Sequence, residues 1–312
     1  MFEITIFTLV FFLSYIGVWL LRRWSLRREF FDIPNERSSH TKPTPSGGGL
    51  IIVLVCLIFY TLYTILVSDN FSWGYLTGAI LIAFISWLDD IFEISFIWRF
   101  LIHSTAALLV IFSTGFFKDI YLPFFHQTEF GNFGAVLTFL WIVWLTNAYN
   151  FMDGIDGIAG MQAVTAGIGW LIIGKILGFS VVAFYGGVIA FSSLGFLIHN
   201  WQPAKIFMGD VGSAFLGYTF AALPLLAKNK ITDNFPLLLI IGVGLVFLFV
   251  LDTTLTFFHR VLKKEKIWEA HRSHIYQQLV INGFSHRSVT LFYSFISILI
   301  IGSIILWLKI KI

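Results

Sequence analysis

Carboxylates, amides and histidines fall in short clusters along an otherwise apolar chain, and these clusters have chemistry to offer. Asp89 and Asp90 are adjacent within Trp87-Leu88-Asp89-Asp90-Ile91-Phe92-Glu93. Like charges side by side at the end of an apolar run repel, so one takes up a proton or a cation lies between them. Such a pair can hold Mg²⁺, or divide the work of acid and base. The densest cluster places Asn147, Asn150, Asp153 and Asp156 at every third position, with Gly154 and Gly157 beside the acids. On a continuous helix of 3.6 residues per turn that stripe drifts round the surface. A break permitted by the two glycines keeps it aligned and lets backbone amides approach a phosphate.

Three further segments carry polar groups. Asp210 stands between Phe207-Met208-Gly209 and an apolar run, where it can cap a helix or bind a metal. Lys205 can meet a phosphate there and Phe207 can stack on a base. His40 and Lys42 precede Gly47-Gly48-Gly49, and the N-terminus of the helix that starts there suits an anionic ligand. Late in the chain, His271 and His274 share a helical face around Arg272, a set suited to a pyrophosphate. With no matching cysteine or third close histidine, the set does not have the pattern of a zinc site. Each cluster also has a plainer reading: a solvated helix end, a glycine-rich packing turn, a helix cap, a polar connector, or a basic anchor for lipid headgroups at Lys263–Lys266.

The elements that position these residues follow from composition. The chain has 312 residues, 58% hydrophobic and only 12% charged. A soluble chain carries roughly a quarter charged residues. That difference excludes a soluble enzyme, a disordered chain and a fibrous repeat, and leaves a membrane protein with several spans. The net charge of +3 forms no concentrated basic face, so nucleic acid is not a partner. Cys56 is the single cysteine and lies in an apolar run, where it acts as a small hydrophobe. Arg22, Arg23, Arg27 and Arg28 follow the first apolar run without a cleavage site, as in a retained span rather than a secretion signal.

Hydropathy predicts an all-α membrane protein of about ten transmembrane helices, over 2–21, 47–67, 71–88, 97–117, 133–149, 158–177, 179–198, 211–227, 235–257 and 289–308. Residues 1–312 read as one domain, with a polar cytoplasmic loop over 258–288 that carries the late histidines. Loops after odd-numbered spans hold fourteen of the 20 Lys and Arg, which places those loops in the cytoplasm and both termini on the periplasmic or extracellular side. Twelve of the 17 acids fall on the same side, although acids hardly influence topology. Polar groups from five loops thus converge on one membrane face, the pattern of an active site at the cytoplasmic interface.

Taken in order, Asp89-Asp90, the Asn147 to Gly157 block, Phe207-Met208-Gly209-Asp210-Val211-Gly212-Ser213 and His271-Arg272-Ser273-His274 resemble the polyprenyl-phosphate N-acetylhexosamine-1-phosphate transferases, across about residues 32–277. The resemblance implies a ten-helix enzyme of the bacterial cytoplasmic membrane. It implies transfer of a sugar 1-phosphate from a UDP-N-acetylhexosamine to undecaprenyl phosphate, with release of UMP. Catalysis would rest on Asp89, Asp90 and Asp153. Mg²⁺, or Mn²⁺ in its place, would be held by Asp210, Asp153 and Asp90. Substrate would meet His40, Lys42, Asn147, Asn150, Asp156, Lys205, Phe207, His271, Arg272 and His274. Membrane lipid surrounds the chain, and a homodimer is the candidate assembly.

The late motif lacks three consecutive histidines and is closer to the branch that initiates O-antigen from UDP-linked FucNAc, QuiNAc or GlcNAc. Ser46 departs from that branch, which has a basic residue there. The alternatives are the phospho-N-acetylmuramoyl-pentapeptide transferase of peptidoglycan synthesis and, in other classes, a transporter or a membrane scaffold. A transporter would keep its ionisable groups near the bilayer midplane rather than at helix ends.

Overall fold

Inside a bilayer a backbone must satisfy its own hydrogen bonds, so an apolar chain of this kind crosses as helices. The computed structural model describes residues 2–34, 42–92, 94–122, 126–227, 235–266 and 271–311. The first half of the chain contains α1 (Phe2–Arg28), α2 (Gly49–Tyr63, prolonged by a π-helical turn over Thr64–Ser68), α3 (Trp73–Phe92), α4 (Phe96–Thr114) and α5 (Gly134–Phe151). The second half contains α6 (Ile158–Leu177), α7 (Ser180–Asn200), α8 (Asp210–Leu226), α9 (Phe235–Leu245), α10 (Phe247–Leu262), α11 (Ile275–Ile281) and α12 (His286–Lys311). Two short antiparallel pairs join helices: β1 (Phe31–Asp32) with β2 (Thr44–Pro45), and β3 (Asp119–Leu122) with β4 (His126–Glu129).

The protein is an all-α membrane protein with many spans. All ten expected apolar segments fold as helix, but among the described residues only eight helices are long and apolar enough to cross a membrane alone. α8, with 17 residues, is shorter. The ninth segment is not one helix: α9 and α10 meet at 79°. The polar groups freed at that break are satisfied from neighbouring helices. Gln162 Nε2 in α6 donates to the Leu245 carbonyl at 2.8 Å, and Ser297 Oγ in α12 donates to Gln162 Oε1 at 3.1 Å. The stretch 258–288 is also less of a loop than expected, because α10 continues to Leu262 and α11 lies within it.

α7 and α8 form the centre. α7 packs on α1, α2 and α6, while α8 packs on α3 and α5. Where α6 crosses α7, a Cβ on Gly167 would lie 2.7 Å from the Gly186 carbonyl, so only glycine allows this approach. Polar side chains in the core pair with one another, as at Tyr75 OH, which is 2.6 Å from Tyr185 OH and 3.0 Å from Thr219 Oγ1. The fixed core brings the segments after α1, α3, α5, α7 and α10 together at one end of the bundle.

Candidate active site

At that end, five separated segments enclose a cleft of about 720 Å³. Its walls include Asp32 and Ser46 from the first segment, Asp89, Asp90 and Arg99 from the second, and Asp153 and Asp156 from the third. Asn200, Phe207 and Asp210 come from the fourth, Gln277 and His286 from the last. All five expected loops contribute.

Arg99, in the first turn of α4, organises the acids. Its Nη1 lies 2.5 Å from Asp89 Oδ2 and 3.4 Å from Asp210 Oδ2. Asp89 Oδ1 accepts a further bond from the Ile94 amide at 2.6 Å, which fixes the α3–α4 corner. Asp90 behaves differently. Both of its oxygens accept amides at the start of α8, Asp210 N at 2.8 Å and Val211 N at 3.2 Å. The cap of α8 therefore comes from a carboxylate on α3 rather than from Asp210, and Asp210 is left turned to Arg99 and the Asn150 amide. Gly209 makes this possible: it has φ +77°, and a Cβ there would stand 2.8 Å from Asp90 Oδ2.

α5 ends at Phe151 and the chain breaks before α6, as the glycines at 154 and 157 suggested. Gly157 takes φ +80° and its amide donates to Asn200 Oδ1 at 2.9 Å. Asp156 is tied to two elements: its Oδ2 accepts the Ala204 amide at 3.1 Å, and its Oδ1 lies 3.4 Å from His286 Nδ1 in α12. Among the described residues no hydrogen-bond donor reaches the Asp153 carboxylate. Removal from water holds its pKa well above the usual range, and the charges of Asp210, Asp90 and Asp156 push in the same direction.

The α2 N-terminus is not the anion site expected of it. Gly48 N donates to the Phe207 carbonyl at 2.9 Å and Gly49 N to the Met208 carbonyl at 2.8 Å, so these amides are already occupied. The glycines serve close backbone approach instead, since a Cβ on Gly212 would lie 2.6 Å from the Gly49 Cα.

The polar stripe over residues 147–156 also divides. Asp153 and Asp156 face the cleft and Asn150 reaches Asp210, but Asn147 lines a separate, smaller pocket of about 50 Å³ with His271, His274 and Arg260. In that pocket burial, with His274 and Arg260 nearby, lowers the His271 pKa to about 4, so its ring is neutral at physiological pH. Arg272 lines neither cavity, and Lys42 and Lys205 are exposed outside the cleft. His40 lies outside the described residues. Arg99, Asn200, Gln277 and His286 join the cleft without having been singled out in the sequence. Arg99 alone had a signal, as a lone cation ten residues after Asp89.

Among the described residues no three His, Cys, Asp or Glu side chains form a ready metal-binding set. The chemistry of the cleft nevertheless fits a hard divalent cation: Asp153 accepts no hydrogen bond from a described residue, it feels the charges of Asp210 and Asp90, and all three offer oxygen to the same cleft.

The sequence profile described as glycosyl transferase family 4 matches residues 72–228. A probable undecaprenyl-phosphate N-acetylglucosaminyl 1-phosphate transferase of Bacillus subtilis is 34% identical, over 93% of this chain and 82% of its own length. A decaprenyl-phosphate N-acetylglucosaminephosphotransferase of Mycobacterium leprae is 30% identical, over 93% and 80%. A phospho-N-acetylmuramoyl-pentapeptide-transferase of a Geobacter species is 28% identical, over 73% and 71%. With its many apolar helices, this chain is a multi-pass enzyme of the cytoplasmic membrane that belongs to glycosyl transferase family 4, the polyprenyl-phosphate N-acetylhexosamine-1-phosphate transferases.

Proposed function

We propose that the protein transfers N-acetylglucosamine 1-phosphate from UDP-GlcNAc to undecaprenyl phosphate, at the cytoplasmic end of the helix bundle. The observation that carries this reading is the acid-lined cleft of about 720 Å³ where five segments meet at the helix ends. Its size suits a nucleotide sugar, since ligand pockets run to roughly 300–1,000 Å³. Its depth suits a phosphate carried at the headgroup level on an apolar chain.

In the reaction an oxygen of the lipid phosphate bonds to the sugar-bearing phosphorus. The bond from that phosphorus to the bridging oxygen breaks, and UMP leaves with the electron pair. Both reactants are anions, and Mg²⁺, or Mn²⁺, would screen them when held by Asp153 and Asp210, with the remaining lone pairs of Asp90. Asp89, positioned by Ile94 and Arg99, accepts the lipid phosphate's proton or orients that phosphate. Arg99 keeps Asp89 and Asp210 at a fixed separation and supplies positive charge where phosphates meet. Asn150 steadies Asp210, and Phe207 offers a face to the base.

UDP-GlcNAc is favoured because the Bacillus and Mycobacterium relatives carry that sugar in their names. The product would start a cell-envelope polysaccharide, O-antigen being the one suggested by the late motif. The test is UMP release from a panel of UDP-GlcNAc, UDP-FucNAc, UDP-QuiNAc and UDP-MurNAc-pentapeptide, with membranes, undecaprenyl phosphate and Mg²⁺. Turnover of the pentapeptide substrate would move the protein to the peptidoglycan branch. Uptake into proteoliposomes without UMP release would make it a transporter. Near-normal turnover by Asp210→Asn would overturn the metal assignment.

A further inference from the structure

His286, the first residue of α12, lines the acid-lined cleft together with Asp156, yet no sequence motif includes it and no step above uses it. Its Nδ1 accepts from the Asp156 amide at 3.2 Å and lies 3.4 Å from Asp156 Oδ1. The amide has one fixed hydrogen and points it at Nδ1, so Nδ1 keeps its lone pair and the ring proton sits on Nε2. No described residue bonds Nε2, which stays accessible on a side chain that is 12% exposed. The start of α12 is itself fixed against the break between α5 and α6. Thr290 Oγ1 donates to the Asp156 carbonyl at 3.0 Å, and the Arg287 amide donates to Gln202 Oε1 at 2.7 Å. Asn200 and Gln277 line the same cleft and are uncharged amides.

We infer that His286 is a substrate-binding residue for the transfer reaction, donating from Nε2–H to an uncharged carbonyl oxygen of the nucleotide sugar, in its uracil ring or its acetamido group. This rests on the function proposed above. A neutral donor beside the Asp156 carboxylate suits an uncharged acceptor, because the carboxylate repels a phosphate. Charge for the phosphates comes instead from Arg99 and from a cation on the acids around it. The plainer role of His286 is a tether that satisfies the Asp156 amide. That role needs only an acceptor at Nδ1, and Thr290 already ties α12 to the same residue. It does not require a proton-bearing nitrogen left open on a residue of the cleft.

The experiment measures UMP release by purified full-length protein with Mg²⁺, against both substrates. Two amide replacements separate the two ring nitrogens: Gln places an N–H near Nε2, and Asn places an acceptor near Nδ1. His286→Gln is expected to hold KM for UDP-GlcNAc within about threefold of wild type and His286→Asn to raise it roughly tenfold, the worth of one neutral hydrogen bond. KM for undecaprenyl phosphate should stay unchanged in both. UMP, which has the uracil and no sugar, then identifies the carbonyl. Its inhibition constant for His286→Asn rises with KM if the base is bound, and stays at the wild-type value if the acetamido group is bound. A mere tether would reverse the order of the two variants or shift both KM values, and either result overturns the inference. Should neither variant assemble, competitors of the wild type decide. UDP-glucose lacks the acetamido carbonyl, and UMP thiolated at C2 or C4 carries sulfur, a weak acceptor. At least one of the three should bind roughly tenfold more weakly than its parent compound, and equal binding by all three refutes the idea. Absence of UMP release by the wild type with every UDP-sugar would remove the proposed function and the inference with it, whereas turnover with the variants in the reverse order removes the inference alone.

Discussion

Asp153 accepts no hydrogen bond from a described residue, and its raised pKa has a consequence for stability. The folded-state pKa lies above that of the unfolded chain, so ionisation opposes folding. The penalty is absent at low pH, begins as pH passes the ordinary carboxylate value of about 4, and is complete above the folded-state pKa. In EDTA, Asp153→Asn is expected to melt a few degrees above wild type at about pH 8 and level with it at about pH 4. Adding Mg²⁺ should raise the wild-type Tm and leave the variant's unchanged, because only the wild type has the ligand to gain. A thermal-shift series in detergent reads both effects, and equal Mg²⁺ responses would remove Asp153 from the metal site. Arg99 gives a second outcome at this scale. Arg99→Ala leaves Asp89 and Asp210 to repel, and should lower UMP release by roughly a hundredfold. Arg99→Lys, which keeps a cation where a single nitrogen serves both acids, should retain more.

Among the elements, the crossing of α2 and α8 and the break between α9 and α10 set the geometry. Gly49→Ala would press a methyl group onto the Gly212 backbone, and should cost about 1–3 kcal/mol, seen as a lower Tm and loss of the cleft's activity. Gln162→Leu removes the amide that serves the Leu245 carbonyl, and should destabilise by about 1–3 kcal/mol without touching the cleft directly. The helices themselves were legible, because a span is recorded locally as an apolar run bounded by charge. The break was not, because no proline follows Pro236 in this segment and the repair comes from Gln162, 83 residues away. The same limit applies to the site. Asp89, Asp153 and Asp210 could be picked out by their own neighbours in sequence. Arg99 counted only as a loop cation, and Asp90 as a partner of Asp89, because the amides it caps lie 120 residues on. Asn147 and the late histidines were grouped with the acids by motif, whereas α5 turns Asn147 toward α10 and a second pocket.

For the molecule as a whole, the cleft and the β3–β4 hairpin should face opposite sides of the membrane. Cys56 is buried and is the only cysteine, so a single cysteine placed at Ser285 or Glu129 can be labelled against a silent background. An impermeant maleimide on intact cells should reach the cysteine at 129 and not the one at 285, and the opposite pattern would invert the proposed orientation. A contact that closes the cleft also spans a long stretch of chain: Asp156 meets His286 across 130 residues. A chain is made from its N-terminus, so every acid of the cleft is synthesised well before the wall that completes it. A nascent chain stopped short of residue 286 would carry all its acids and no finished site. Turnover is therefore expected only once α12 has joined the bundle, so that a half-made chain consumes no substrate.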